Sequence, residues 1–76
     1  MAAFWLDARP VTNRQFRIFV RENPAWRRSR VPALFAEDGY LRAWRGDLDL
    51  GDLPPEAPVV DVSWFAARAF AAWRGR

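Results

Sequence analysis

The chain contains no cysteine and no histidine. With those residues go disulfides, thiolate nucleophiles, imidazole bases and the commonest soft-metal ligands. A Ser–His–Asp triad is excluded on the same ground. Lysine is missing too, so all twelve cations are arginine. With abundant alanine, this bias reads as the composition of a GC-rich genome, ahead of selection for bidentate anion recognition. There is no glycine-rich phosphate loop, no nucleophile elbow, no HExxH and no EF-hand spacing. Long apolar runs are also lacking: Arg68 breaks the longest, so no segment spans a bilayer. The first residues, Met1 to Asp7, have neither a basic start nor a long apolar stretch, and no leader is read there. The compartment is left open.

Aromatic residues, in contrast, are plentiful. Five tryptophans and six phenylalanines sit among 76 residues of net charge +3. Each large aromatic buries roughly 150–250 Å² when it enters a core. A chain of this size hides only about 60% of the surface its unfolded form exposes. Chains below about 80 residues usually need a disulfide, a metal or a partner. The aromatics therefore imply a partner surface or a larger domain, and a marginal fold for the chain alone.

Local signals place the elements. Phe4-Trp5-Leu6 reads as a short strand ending near Asp7, and Pro10 pushes Arg9 into an extended conformation. Thr12 and Gln15 form a capping box, predicting a helix from Asn13 to Glu22 that Asn23-Pro24 stops. Phe16, Phe19 and Val20 make one apolar stripe on it. Ala25 to Pro58 reads mostly as loop, with a turn at Asp38-Gly39. Its aromatics Phe35, Tyr40 and Trp44 argue for packing rather than disorder. Val59 to Val62 reads as a β-branched strand, and Ser63 as the cap of a helix from Trp64 to Trp73. That helix is apolar nearly all round, which demands burial in a large core. Trp64, Phe70 and Trp73 are expected to be core residues.

The candidate chemical groups are few. Ser63 is a helix cap rather than a nucleophile, since no base is present to activate it. Asp47, Asp49 and Asp52 share a loop and could ligate a hard cation, but read first as solvated charges. Trp26-Arg27-Arg28-Ser29-Arg30 joins cations to an aromatic, as single-stranded nucleic-acid binders do. At a net charge of +3, an ordinary basic loop with Trp26 tucked inward is the simpler reading.

Two segments together resemble a known family. The first is Phe4-Trp5-Leu6-Asp7 with Pro10-Val11-Thr12-Asn13, then Phe16 and Phe19. The second is Pro58-Val59-Val60-Asp61-Val62-Ser63-Trp64, then Ala67, Phe70, Trp73 and Gly75. Between them Phe35, Gly39-Tyr40-Leu41 and Trp44 also fit. This pattern resembles the opening part of the formylglycine-generating-enzyme, or sulfatase-modifying-factor, family.

The resemblance implies an α+β fold, a partial C-type-lectin-like arrangement of two helices, short strands and long irregular loops. It implies a segment incomplete at both ends. Full-length members of that family oxidise a sulfatase cysteine to formylglycine or carry out related non-haem metal oxidation. They use copper or iron, with structural calcium. No residue of this chain matches a catalytic, cofactor or metal position of the family. The family-motif positions are structural: Val11, Thr12, Asn13, Phe16, Phe19, Pro58, Val59, Val62, Ser63, Trp64, Ala67 and Trp73. The expected role is that of a scaffold part without the active site, inactive alone. The expected partner is the remainder of the domain, or a protein covering the aromatics. The alternative is an aromatic-rich interaction module, with a weak nucleic-acid binder ranked last.

Overall fold

Thr12 sets the first helix. Its hydroxyl accepts from the Gln15 amide at 3.1 Å, and the Gln15 side-chain oxygen accepts from the Thr12 amide at 3.0 Å. This closed capping box starts helix α1, Asn13–Glu22, at the residue its sequence predicts. The computed structural model describes residues 5–6, 9–31 and 39–75. Met1, Phe4, Asp7, Phe35 and Asp38, named above, lie outside them.

The far end of α1 is closed from within the next few residues. Both the backbone and the side-chain amide of Asn23 donate to the Phe19 carbonyl at 2.9 Å. A short 3₁₀ turn, Pro24–Trp26, follows. The Arg27 guanidinium then folds back, donating to the carbonyls of Val20 at 3.1 Å and Arg21 at 3.0 Å. Helix ends leave carbonyls without intrahelical donors, and these bonds satisfy them.

Ahead of α1, strand β1, Trp5–Leu6, pairs antiparallel with β2, Arg9–Pro10, placing Trp5 opposite Pro10. The expected strand near Trp5 and the extended Arg9 are both present. The second expected strand is not. Residues Val59 to Val62 form no ladder. Val59 donates to the Val11 carbonyl at 2.8 Å, and Pro58 makes one isolated bridge to Thr12. The chain then turns at Asp61, whose φ of +59° lies in the left-handed region. Such a conformation breaks an extended run, so β-branched composition alone misjudged this stretch.

Helix α2, Trp64–Arg74, starts at Ser63, whose buried hydroxyl accepts from Ala66 at 3.0 Å. It packs on α1 through rings. Phe70 stacks on Phe16 at 5.8 Å and meets Phe19 edge-on at 5.5 Å, while Trp73 lies 5.5 Å from Phe19. The loop between the helices covers the rest of this core with Tyr40, Leu41, Trp44 and Leu50, all buried. The radius of gyration, 11.1 Å, is close to the roughly 11.4 Å of a compact chain of this length. The architecture is α+β in the coarse sense, with two α-helices, a short 3₁₀ turn, a minimal strand pair and much irregular backbone among the described residues.

Candidate functional site

The two sequence segments that carry the family resemblance meet in space. Asn13 donates its backbone N–H to the Ala57 carbonyl at 2.9 Å, and Arg14 donates to Pro55 at 2.9 Å. Together with the Val59–Val11 bond, they stitch residues 55–59 along the start of α1. Asn13 is the polar centre of this junction. It is 3% exposed, and its side-chain amide donates to the Pro54 carbonyl at 3.1 Å while its side-chain oxygen accepts from the Trp44 indole at 3.3 Å. A buried amide is stable only when so satisfied.

The motif positions fall into three groups. Val11, Phe16, Phe19, Val59, Val62 and Ser63 are buried with Asn13. Thr12, Ala67 and Trp73 are half-buried, with Ala67 and Trp73 against the core. Pro58 and Trp64 are exposed. Trp64 corrects the core expectation: it is 58% exposed. Its place on α2 explains this. At about 100° per residue, Ala66, Phe70 and Trp73 face α1, while Trp64, Phe65, Arg68, Ala71 and Ala72 share the opposite side. All five of these are exposed. The helix is therefore not enclosed all round, as its composition demands. One side is core and the other is an apolar surface with a single charge.

That outer surface contains a groove of about 270 Å³ lined by Trp26, Trp64, Phe65 and Arg68. Trp64 and Phe65 meet edge-to-face at 5.2 Å, and the Arg68 guanidinium lies over the Trp64 ring at 4.9 Å. A cation held over an indole face screens part of an otherwise apolar patch. No helix among the described residues is long and apolar enough to cross a membrane.

The basic cluster has internal uses. Arg27 closes α1, as described, and Arg28 donates to the Trp44 carbonyl at 2.9 Å. Ser29 donates twice to Asp47, from its hydroxyl at 2.6 Å and its amide at 2.9 Å. These two bonds, hydroxyl first, hold the Asp47 carboxyl below its ordinary range, assisted by Arg27 and Arg30. Tyr40 donates its hydroxyl to the Trp26 carbonyl at 2.7 Å, and burial pushes its phenol above the usual range. Arginine side chains acting as carbonyl caps leave no signal in sequence, so their role emerges only in three dimensions.

The acidic loop is likewise committed. Asp49 accepts from the Gly51 amide at 2.9 Å, and its own carbonyl accepts from Arg45 and Gly46 at 2.8 and 3.2 Å. Asp52 lies 3.9 Å from Arg45. No group of three or more acidic, His or Cys side chains that could hold a metal ion occurs among the described residues. Copper or iron of the kind the resemblance implies prefers imidazole or thiolate donors, which this sequence does not contain. The described residues do not fit such a centre.

A family profile described as a sulfatase-modifying factor enzyme 1-like domain matches residues 1–76. Two curated relatives are similar over 96% of the chain at 32% identity. One is a hercynine oxygenase of Mycolicibacterium thermoresistibile, of which the match covers 19%. The other is the inactive C-alpha-formylglycine-generating enzyme 2 of Mus musculus, of which it covers 32%. The chain thus spans about a fifth to a third of the length of these relatives. No solved structure matches it.

Proposed function

The chain belongs to the sulfatase-modifying-factor (formylglycine-generating-enzyme) family, and from that premise we propose that it is a scaffold segment of such a domain. In this reading the segment contributes the α1–α2 frame of a C-type-lectin-like fold, and the reactive groups lie on other chain segments. On its own, in this reading, it is inactive. The observation that carries the proposal is the outer side of α2. Trp64, Phe65, Ala71 and Ala72 form a surface suited to a core, and only Arg68 gives it charge. Exposed apolar patches of this kind mark sites that another protein surface covers.

The sequence supports the absence of chemistry. Without a thiol or an imidazole the commonest nucleophiles and bases are missing. The serine at the head of α2 is occupied with capping.

A direct assay tests this. The purified chain is incubated with oxygen, copper and a cysteine-containing sulfatase peptide, and the peptide is weighed by mass spectrometry. The expected product yield is zero. Conversion of the cysteine to formylglycine would overturn the scaffold reading.

The same outer face favours a second reading, a separate interaction module. The two differ in what covers Trp64. Covalent extension of the chain by neighbouring domain sequence quenches the exposure of Trp64 in the scaffold reading. Only a separate polypeptide does so in the module reading.

A further inference from the structure

A cleft of about 650 Å³ opens between β2, the start of α1 and the last turn of α2. Its walls bring together Arg9 and Arg74, 65 positions apart in sequence, with Thr12, Gln15, Glu56 and the Phe70 side of α2. We propose that this cleft is a binding site for a small organic di- or tricarboxylate, held between the two guanidinium groups. The proposal goes beyond the scaffold reading and uses residues outside the Trp64 groove.

The argument is one of donors and acceptors. Among the described residues neither Arg9 nor Arg74 has an ion-pair partner. The Gln15 side-chain oxygen is used by the capping box, which leaves its amide N–H groups free to donate. The Thr12 hydroxyl accepts from Gln15 and keeps its own proton to give. Among the described residues the wall carries one carboxylate, Glu56, which Arg14 holds at 2.8 Å. Among the described residues the cleft is therefore rich in donors and poor in free acceptors. Guanidinium groups bind carboxylates through paired, charge-assisted bonds.

The start of α1 is not what attracts the anion. The amides of Asn13, Arg14, Gln15 and Phe16 already donate to Ala57, Pro55, the Thr12 hydroxyl and the Thr12 carbonyl. The recognition falls to side chains on separate elements. Two cations on separate walls favour a ligand with carboxylates at more than one end. The volume is within the range of small-molecule sites, about 300–1,000 Å³.

Thermal unfolding of the 76-residue chain tests this with three probes: glutarate, its neutral isostere glutaramide, and inorganic phosphate at matched ionic strength. A ligand that binds only the folded state raises the midpoint. Glutarate at a few times its Kd is expected to raise it by about 5 °C, and glutaramide not at all. Arg9→Gln and Arg74→Gln should each abolish most of the shift. Arg68→Gln, outside the cleft lining, should retain it. Three outcomes would overturn the proposal: no shift with glutarate, an equal shift with phosphate, or an equal loss in Arg68→Gln.

Discussion

The indole N–H of Trp44 points at the side-chain oxygen of Asn13 across 3.3 Å, joining the long loop to the first residue of α1. Both side chains are buried. The same asparagine holds Pro54 with its other end. One side chain thus ties α1 to two places in the loop. Asn13→Leu is expected to lower stability by about 1–3 kcal/mol, since the Trp44 N–H then lies buried without an acceptor. Trp44→Phe in the same background should recover part of the loss. Denaturant midpoints of the single and double variants measure this, and additive losses would show the bond to be unimportant.

The two caps should differ in consequence. Thr12→Ala and Ser63→Ala each remove a side-chain acceptor from a helix start, an effect of about 1 kcal/mol. Ser63 is 1% exposed, whereas Thr12 is half-buried and open to water. The Ala66 amide has less access to a replacement acceptor, so Ser63→Ala should be the more damaging. Helical ellipticity against temperature for the two variants gives the order.

Truncations on the two sides of α2 should separate sharply. Phe70 is fully buried against Phe16 and Phe19, and Phe70→Ala should cost about 3–5 kcal/mol. Trp64→Ala should change the stability of this chain by no more than about 0.5 kcal/mol, as exposed positions usually do. A large loss at Trp64 in chemical denaturation would contradict its exposed placement.

Stability should fall at both extremes of pH. The Tyr40 phenol is raised in the folded state, so its contribution is complete below its ordinary value near pH 10 and is lost as pH rises beyond it. The Asp47 carboxyl is lowered, so its contribution is present above the ordinary carboxylate range and is lost as pH falls below about 4. The Asp47 effect should be the smaller, because that carboxylate is near solvent and screened. Urea midpoints across pH give both limbs. Tyr40→Phe should flatten the alkaline limb, and Ser29→Ala the acidic one.

Short-range chemistry was the readable part of this fold. The Thr12–Gln15 box and the Asn23-Pro24 stop placed α1 to the residue, because every group involved lies within a few positions. The inward stripe of Phe16, Phe19 and Val20 followed from helical period. Val59 to Val62 was misread because its conformation depends on distant partners: Val11 takes one bond, and the Leu41 amide donates to the Asp61 carbonyl at 2.8 Å. Trp64 was misread because a helix apolar on both sides does not reveal which side meets the core. Arg9 and Arg74 stood at opposite ends of the chain, with nothing local to connect them, so the cleft between them was invisible in sequence.

The division of α2 into two sides offers a handle for redesign. Since Phe70 and Trp73 pack on α1 while Trp64, Phe65, Ala71 and Ala72 are exposed, the outer row can be rewritten separately. Exchanging Trp64, Phe65, Ala71 and Ala72 for glutamate and glutamine should yield a soluble miniature with the inner ring cluster intact. Such a molecule would isolate this frame as a host onto which foreign loops are grafted.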